Sequence, residues 1–93
     1  MRDDDIIRRI ERYRFPRAPV TAERRNRGYT LIHAATGAPI ARLRPRGGDD
    51  QMEIFYWSWK QRWAPVGPFG GTVAPLDEAL HIIAHEPIFW AGM

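Results

Sequence analysis

The chain has 93 residues, with 44% hydrophobic and 27% charged side chains and a formal net charge of +3. This length gives room for one hydrophobic core, so residues 1–93 are predicted to form a single domain. The sequence contains no cysteine, which excludes disulfides, thiolate catalysis and cysteine-ligated metal sites. No apolar stretch approaches the roughly 18 residues of a membrane helix, and the N terminus lacks a signal-peptide pattern, so we expect a cytoplasmic protein.

Charge is unevenly distributed along the chain. Residues 1–46 contain twelve arginines and five acidic residues, whereas residues 47–93 contain two basic and six acidic residues. Clustered arginine attracts phosphate groups, so the basic half is a candidate nucleic-acid surface. A GC-rich genome gives the same arginine bias without any function attached, and this alternative stays open.

The first predicted element is a helix from about Asp4 to Arg14. Acidic residues stand at its start, and an apolar stripe with three- and four-residue spacing follows at Ile6 and Ile10. Pro16 ends the helix, because proline lacks an amide donor. Residues 17–28 are predicted to be an irregular, basic connection.

Short β-favouring segments begin at Gly28. Residues 29–35 and 40–44 are predicted to form a hairpin around the turn at 36–39. The strongest strand signal covers residues 52–63, with a break near 60–62 that leaves a further short strand at 63–66 open.

Alternation along residues 52–63 bears on which face of the sheet is buried. Period two places Phe55, Trp57 and Trp59 on one side, and Ile54 and Tyr56 on the other. An aromatic side chain buries roughly 150 to 250 Å², and a domain this small needs large core side chains. The odd-numbered face is therefore predicted to be core, and the even-numbered face is expected to be partly open.

The last predicted helix is the clearest element. Pro75 stands before it, Asp77 and Glu78 favour its positive start, and Pro87 ends it. The apolar residues after Pro87 are expected to fold back against the sheet or a partner. The predicted fold is α+β, with an N-terminal helix, a three- or four-stranded antiparallel sheet, and a C-terminal helix packed on one sheet face. The predicted core comprises Phe55, Trp57, Trp59, Leu76, Leu80, Ile83 and Phe89.

Catalytic and metal-binding patterns are weak. His81 and His85 stand four residues apart on the last helix, which supplies two metal ligands where catalytic zinc uses three. Ser58 is the only serine and lies within a strand, without a nucleophile elbow. His33 has no neighbouring acid in the sequence to orient it as a general base. We therefore predict no catalytic centre, no metal site and no cofactor.

Several segments resemble a bacterial family. The tryptophan-rich segment 53–63, the Arg44-Pro45 pair after the first hairpin, the Leu-Asp-Glu helix start at 76–78 and the closing Phe89-Trp90 are similar to the domain of unknown function 3024 family. The terminal aromatic-Gly of that family is interrupted here by Ala91. The resemblance implies the fold and gives no activity, because the family is uncharacterised.

The leading functional hypothesis is a small non-enzymatic binding or assembly module. An apolar face beside an apolar tail suits a homodimer or a protein partner. The residues expected at that interface are Ile54, Tyr56, Phe89 and Trp90.

The alternative hypothesis is a nucleic-acid-binding module that uses the Arg-rich half. Exposed aromatic rings stack on bases while arginine neutralises phosphates. The residues expected to contact the anion are Arg24, Arg25, Arg27, Arg42, Arg44 and Arg62. An enzyme is the third and least favoured class.

Overall fold

A computed structural model describes residues 3–48, 50–58, 60–66 and 71–90. They form two α-helices, one antiparallel sheet and a short 3₁₀ helix, which confirms the α+β class, with six strands where three or four were predicted. In chain order the elements are α1 (Asp3–Arg12), β1 (Val20–Arg25), β2 (Gly28–His33), β3 (Pro39–Pro45), β4 (Gln51–Trp57), β5 (Trp63–Pro65), β6 (Thr72–Pro75), α2 (Leu76–His85) and the 3₁₀ helix (Pro87–Phe89).

Strand β1 lies in the segment that the sequence predicted to be irregular. Val20 and Ala22 are buried, and the rest of the strand is exposed, so its apolar pattern is only two residues long. The β1–β2 turn places Asn26 at φ 46° and Arg27 at φ 63°. Two successive positive φ values define the tight turn whose twist suits a two-residue hairpin, and asparagine is one of the residues that accept this conformation.

The strands pair in the order β1-β2-β3-β4-β5, each antiparallel to its neighbour. The outer edge of β4 is divided between two strands. Residues 55–57 pair with β5, and residues 51–54 pair with β6. Strand β6 was not predicted, because it directly follows a glycine-rich segment and is only four residues long.

The buried face of β4 is the even-numbered one, so the predicted face was wrong. Met52 and Ile54 are fully buried, whereas Phe55 is half-buried and Trp57 is 38% exposed. Both faces of β4 carry apolar residues, and the helices cover the side on which Ile54 pairs with Leu43. The predicted core position of Trp59 lies outside the described residues.

Both helices pack on that same face. Ile6 and Ile10 of α1 join the core with the apolar stripe of α2, and Arg9 Nη2 lies 2.7 Å from Asp77 Oδ1 between the two helices. The predicted core positions Leu76, Leu80, Ile83 and Phe89 are all buried. No helix in the described ranges is long and apolar enough to cross a membrane.

The apolar tail folds back into the core. Phe89 and Trp90 are 2% and 6% exposed, and Trp90 Nε1 donates a hydrogen bond of 2.8 Å to the Ile83 carbonyl oxygen. With Ile54 fully buried and Tyr56 packed against the core, the expected interface does not lie on an open surface. The helices and the tail cover those side chains, because the even-numbered face of β4 faces the core and the predicted odd-numbered face does not.

Candidate functional site

The sheet face opposite the helices bears a solvent-open groove. Its volume is about 410 Å³. We call it the open groove, and its described lining residues are Arg25, Asn26, Thr30, Ile32, Gly37, Pro39, Arg42, Trp57 and Trp63.

Strand register explains why these residues meet. Thr30 pairs with Arg42, and Arg42 pairs with Phe55, so the three side chains form one row across β2, β3 and β4. The next row holds Trp57 opposite Trp63 on β5. The floor of the open groove is thus polar and basic, and its wall at β4–β5 is aromatic.

Arg42 occupies the middle of the floor in a fixed position. Its Nη2 donates a hydrogen bond of 2.7 Å to the Asn26 carbonyl oxygen in the β1–β2 turn. A Cβ atom on Gly28 would lie 2.9 Å from the same nitrogen, so glycine at this position leaves room for the guanidinium. The guanidinium has five N–H donors, and a single bond to a carbonyl leaves others for a ligand.

Positive charge converges on Arg42. Burial lowers the pKa of its guanidinium below the usual value for arginine, and the neighbouring charges of Arg44 and Arg24 lower the pKa further. Desolvation and the neighbouring positive charges both raise the free energy of the charged guanidinium. A bound anion offsets both, so this position favours a negatively charged ligand.

Arg25 stands at the end of the groove next to the β1–β2 turn. Its Nη2 lies 2.7 Å from Glu23 Oε2, and the two side chains are 62% and 48% exposed. An exposed ion pair of this kind contributes little to stability, so a stronger acceptor such as phosphate can compete for the guanidinium. Glu53, the other glutamate on this sheet face, lies 3.5 Å from Arg46.

Trp57 and Trp63 form the aromatic wall. Their ring centroids are 5.0 Å apart and their planes meet at 70°, an edge-to-face arrangement. Trp57 is 38% exposed and Trp63 is half-buried, so indole surface faces the groove. A flat apolar ring is the natural occupant of such a surface.

The six arginines predicted to contact an anion do not form one patch. Arg25 and Arg42 line the open groove, and Arg44 is exposed on the same sheet face, two residues further along β3. Arg24 instead lies 3.3 Å from Asp3 and 4.9 Å from the Tyr29 ring, on the α1 side.

The two remaining arginines of that set lie in turns. Arg27 is in the β1–β2 turn and Arg62 precedes β5, and both are exposed. Sequence reasoning did not place Trp57 and Trp63 in a site. The sequence does contain a signal for this pair, because β4 has large apolar side chains on both faces. The helices cover one face, so the large side chains of the other face stay outside the core.

The histidines and the serine stand apart from the open groove. The His81 and His85 rings are 4.3 Å apart on the exposed side of α2, and no group of three or more His, Asp or Glu side chains in the described ranges could hold a metal. His33 Nδ1 accepts backbone hydrogen bonds from Ala35 at 3.2 Å and, more weakly, from Thr36 at 3.4 Å. Ser58 is buried, at 8% exposure.

Comparison of the chain with protein-family models, with curated proteins and with solved structures finds no match. The resemblance to the domain of unknown function 3024 family stays a prediction.

Proposed function

We propose that this protein is a non-enzymatic binding module and that the open groove is its binding site. The ligand class is an anion that carries a flat ring. The observation that carries the proposal is the placement of Arg25 and Arg42 on the floor of the same groove whose wall is Trp57 and Trp63.

The lining of the groove supports binding rather than turnover. Its described residues offer guanidinium donors, one hydroxyl, one amide and two indoles, and they contain no carboxylate or imidazole for proton transfer. Arginine supplies a planar, permanently charged donor for phosphate or carboxylate. Few polar groups placed beside apolar surface are typical of a small-ligand site.

A nuclear magnetic resonance titration tests the proposal. Adenosine monophosphate joins a phosphate to a flat ring, and we expect it to shift the indole Nε1–H signals of Trp57 and Trp63 at millimolar concentration. Signals are assigned with the Trp57→Phe and Trp63→Phe variants. Trp90 is the internal control, because its indole donates to Ile83 inside the core and should not respond.

Two reference ligands separate the parts of the site. Adenosine lacks the phosphate and inorganic phosphate lacks the ring, so each is expected to bind more weakly than the monophosphate. If the monophosphate leaves the Trp57 and Trp63 signals unchanged, or shifts Trp90 equally, the proposal fails.

A further inference from the structure

We infer that the open groove binds single-stranded nucleic acid, with bases against Trp57 and Trp63 and phosphates on Arg25, Arg42 and Arg44. This inference rests on the proposed function and narrows its ligand to one class. It also gives the Arg-rich half of the sequence a definite role at three of its twelve arginines.

The charge of this sheet face favours a polyanion. Its two glutamates, Glu23 and Glu53, each lie within ion-pair distance of an arginine. Arg42 and Arg44, two residues apart on β3, remain as net positive charge in the middle of the sheet. Arg25 lies two strands away on β1, so a chain with several phosphates can contact all three guanidinium groups.

The aromatic wall selects single strands over duplexes. Bases in a duplex are paired and stacked inside, so their faces do not reach a tryptophan, whereas single strands present both faces. Other sheets that bind RNA hold two or three bases on a comparable open face through exposed aromatic side chains. An acidic peptide satisfies the arginines and leaves Trp57 and Trp63 without a partner.

The width of the sheet favours a chain of nucleotides over a single nucleotide. Arg25 lies on β1 and Trp63 on β5, four strand spacings apart in the sheet order. At about 4.8 Å per spacing, this is a path of roughly 19 Å along the sheet. A nucleic-acid chain that follows this path contacts both ends of the groove, whereas a mononucleotide is too short to do so.

Fluorescence anisotropy with labelled oligonucleotides of about eight nucleotides tests the inference. We expect DNA and RNA single strands to bind at least about tenfold more tightly than adenosine monophosphate and than a hairpin duplex of equal charge. Polyglutamate at equal charge is expected to compete poorly. Comparing the DNA and RNA strands then shows whether the 2′-hydroxyl contributes.

Variants assign the contacts. Trp57→Ala should weaken binding by at least about fivefold, whereas Trp57→Phe should retain most of it, because a ring still stacks. Ile88→Ala is the matched control, since Ile88 is an exposed apolar residue outside the groove lining. With three phosphate contacts, the logarithm of the binding constant should fall with the logarithm of the salt concentration with a slope of about −2. Arg44→Gln should reduce the magnitude of this slope by about 0.7. Arg8→Gln on α1 should leave the slope unchanged.

Two patterns of failure are distinguishable. If the mononucleotide shifts the groove signals but oligonucleotides bind no more tightly, or the duplex or polyglutamate matches the single strand, this inference is wrong and the proposed function stands. If neither mononucleotide nor oligonucleotide affects the groove, both are wrong. Equal effects of Trp57→Ala and Ile88→Ala, with both variants folded, also contradict the inference.

Discussion

Ile54 and Trp57 lie three residues apart on β4 and project from opposite faces of the sheet, one fully buried and the other 38% exposed. The consequence is that the smaller side chain contributes more to the core. Ile54 pairs with Leu43 beneath the helices, whereas Trp57 contacts Trp63 at the open groove.

This difference predicts an unusual order of stability effects. Ile54→Ala should lower the free energy of unfolding by about 2 to 5 kcal/mol, because it leaves a cavity in a sealed core. Trp57→Ala should cost less than Ile54→Ala, because 38% of Trp57 already faces solvent and its contact with Trp63 adds only about 0.5 to 1.5 kcal/mol beyond the buried area. Urea denaturation followed by circular dichroism measures both, and a larger loss for Trp57→Ala would contradict the assignment of the faces.

The buried indole of Trp90 gives a second prediction. Trp90→Phe keeps a large ring against Phe15 but removes the donor to the Ile83 carbonyl oxygen. That carbonyl lies in the last turn of α2, where a lost partner in a buried place costs about 1 to 3 kcal/mol. Chemical denaturation should show this loss. Trp63→Phe is the control, and equal losses for the two variants would mean that the bond contributes nothing specific.

The ionisation of Tyr29 makes the stability of the fold depend on pH in the alkaline range. Burial raises the pKa of its hydroxyl to about 12, and the hydrogen bond to Asp3 at 2.6 Å and the Asp3 charge raise it as well, against the opposing effect of Arg24. The unfolded chain releases this proton near pH 10. The contribution to stability is therefore fully present below about pH 10 and is lost as the pH rises through about 12.

Spectroscopic titration of tyrosinate checks this shift. Tyr29 should ionise at a pH well above the ordinary tyrosine range, and Tyr29→Phe should remove that late step. The variant should also lose less stability than the parent between pH 10 and 12. If Tyr29→Phe removes only an ionisation step near pH 10, the prediction is contradicted.

Gly71 occupies a backbone conformation that other residues rarely adopt. Its φ is +127°, and an added Cβ would lie 2.8 Å from Glu53 Oε2. Gly71→Ala should therefore destabilise the fold by about 2 to 3 kcal/mol. Gly47→Ala is the matched control, because Gly47 has φ +64° and nothing within 4 Å. It should cost only about 1 kcal/mol, and the difference in melting temperature between the two variants measures the additional backbone strain at φ +127° together with the contact to Glu53.

Local patterns in the sequence predicted both helices well. The acidic start and the Ile6–Ile10 spacing locate α1, and the stripe from Leu76 to Ile83 locates α2, because a helix encodes its buried face in its own periodicity. Strand β1 was missed for the opposite reason. Its only buried residues are Val20 and Ala22, and its hairpin depends on positive φ at Asn26 and Arg27 rather than on a glycine.

The local sequence pattern cannot determine which face of β4 is buried. Alternation separates Ile54 from Phe55 but does not say which side the helices cover, and that choice depends on pairing with Leu43 and on both helices together. The arginines were visible as a group in the sequence. Their division between the open groove, where Arg42 lies, and the α1 side, where Arg24 contacts Asp3, depends on strand register and could not be seen.

The divided edge of β4 has an evolutionary consequence. Residues 51–54 hold β6 and, through it, the start of α2, whereas residues 55–57 hold β5 and its tryptophan. The proposed recognition surface and the structural support therefore draw on different halves of one strand. Under the proposed function, substitutions at positions 57 and 63 would alter ligand preference while the half of β4 that anchors β6 and α2 stays intact.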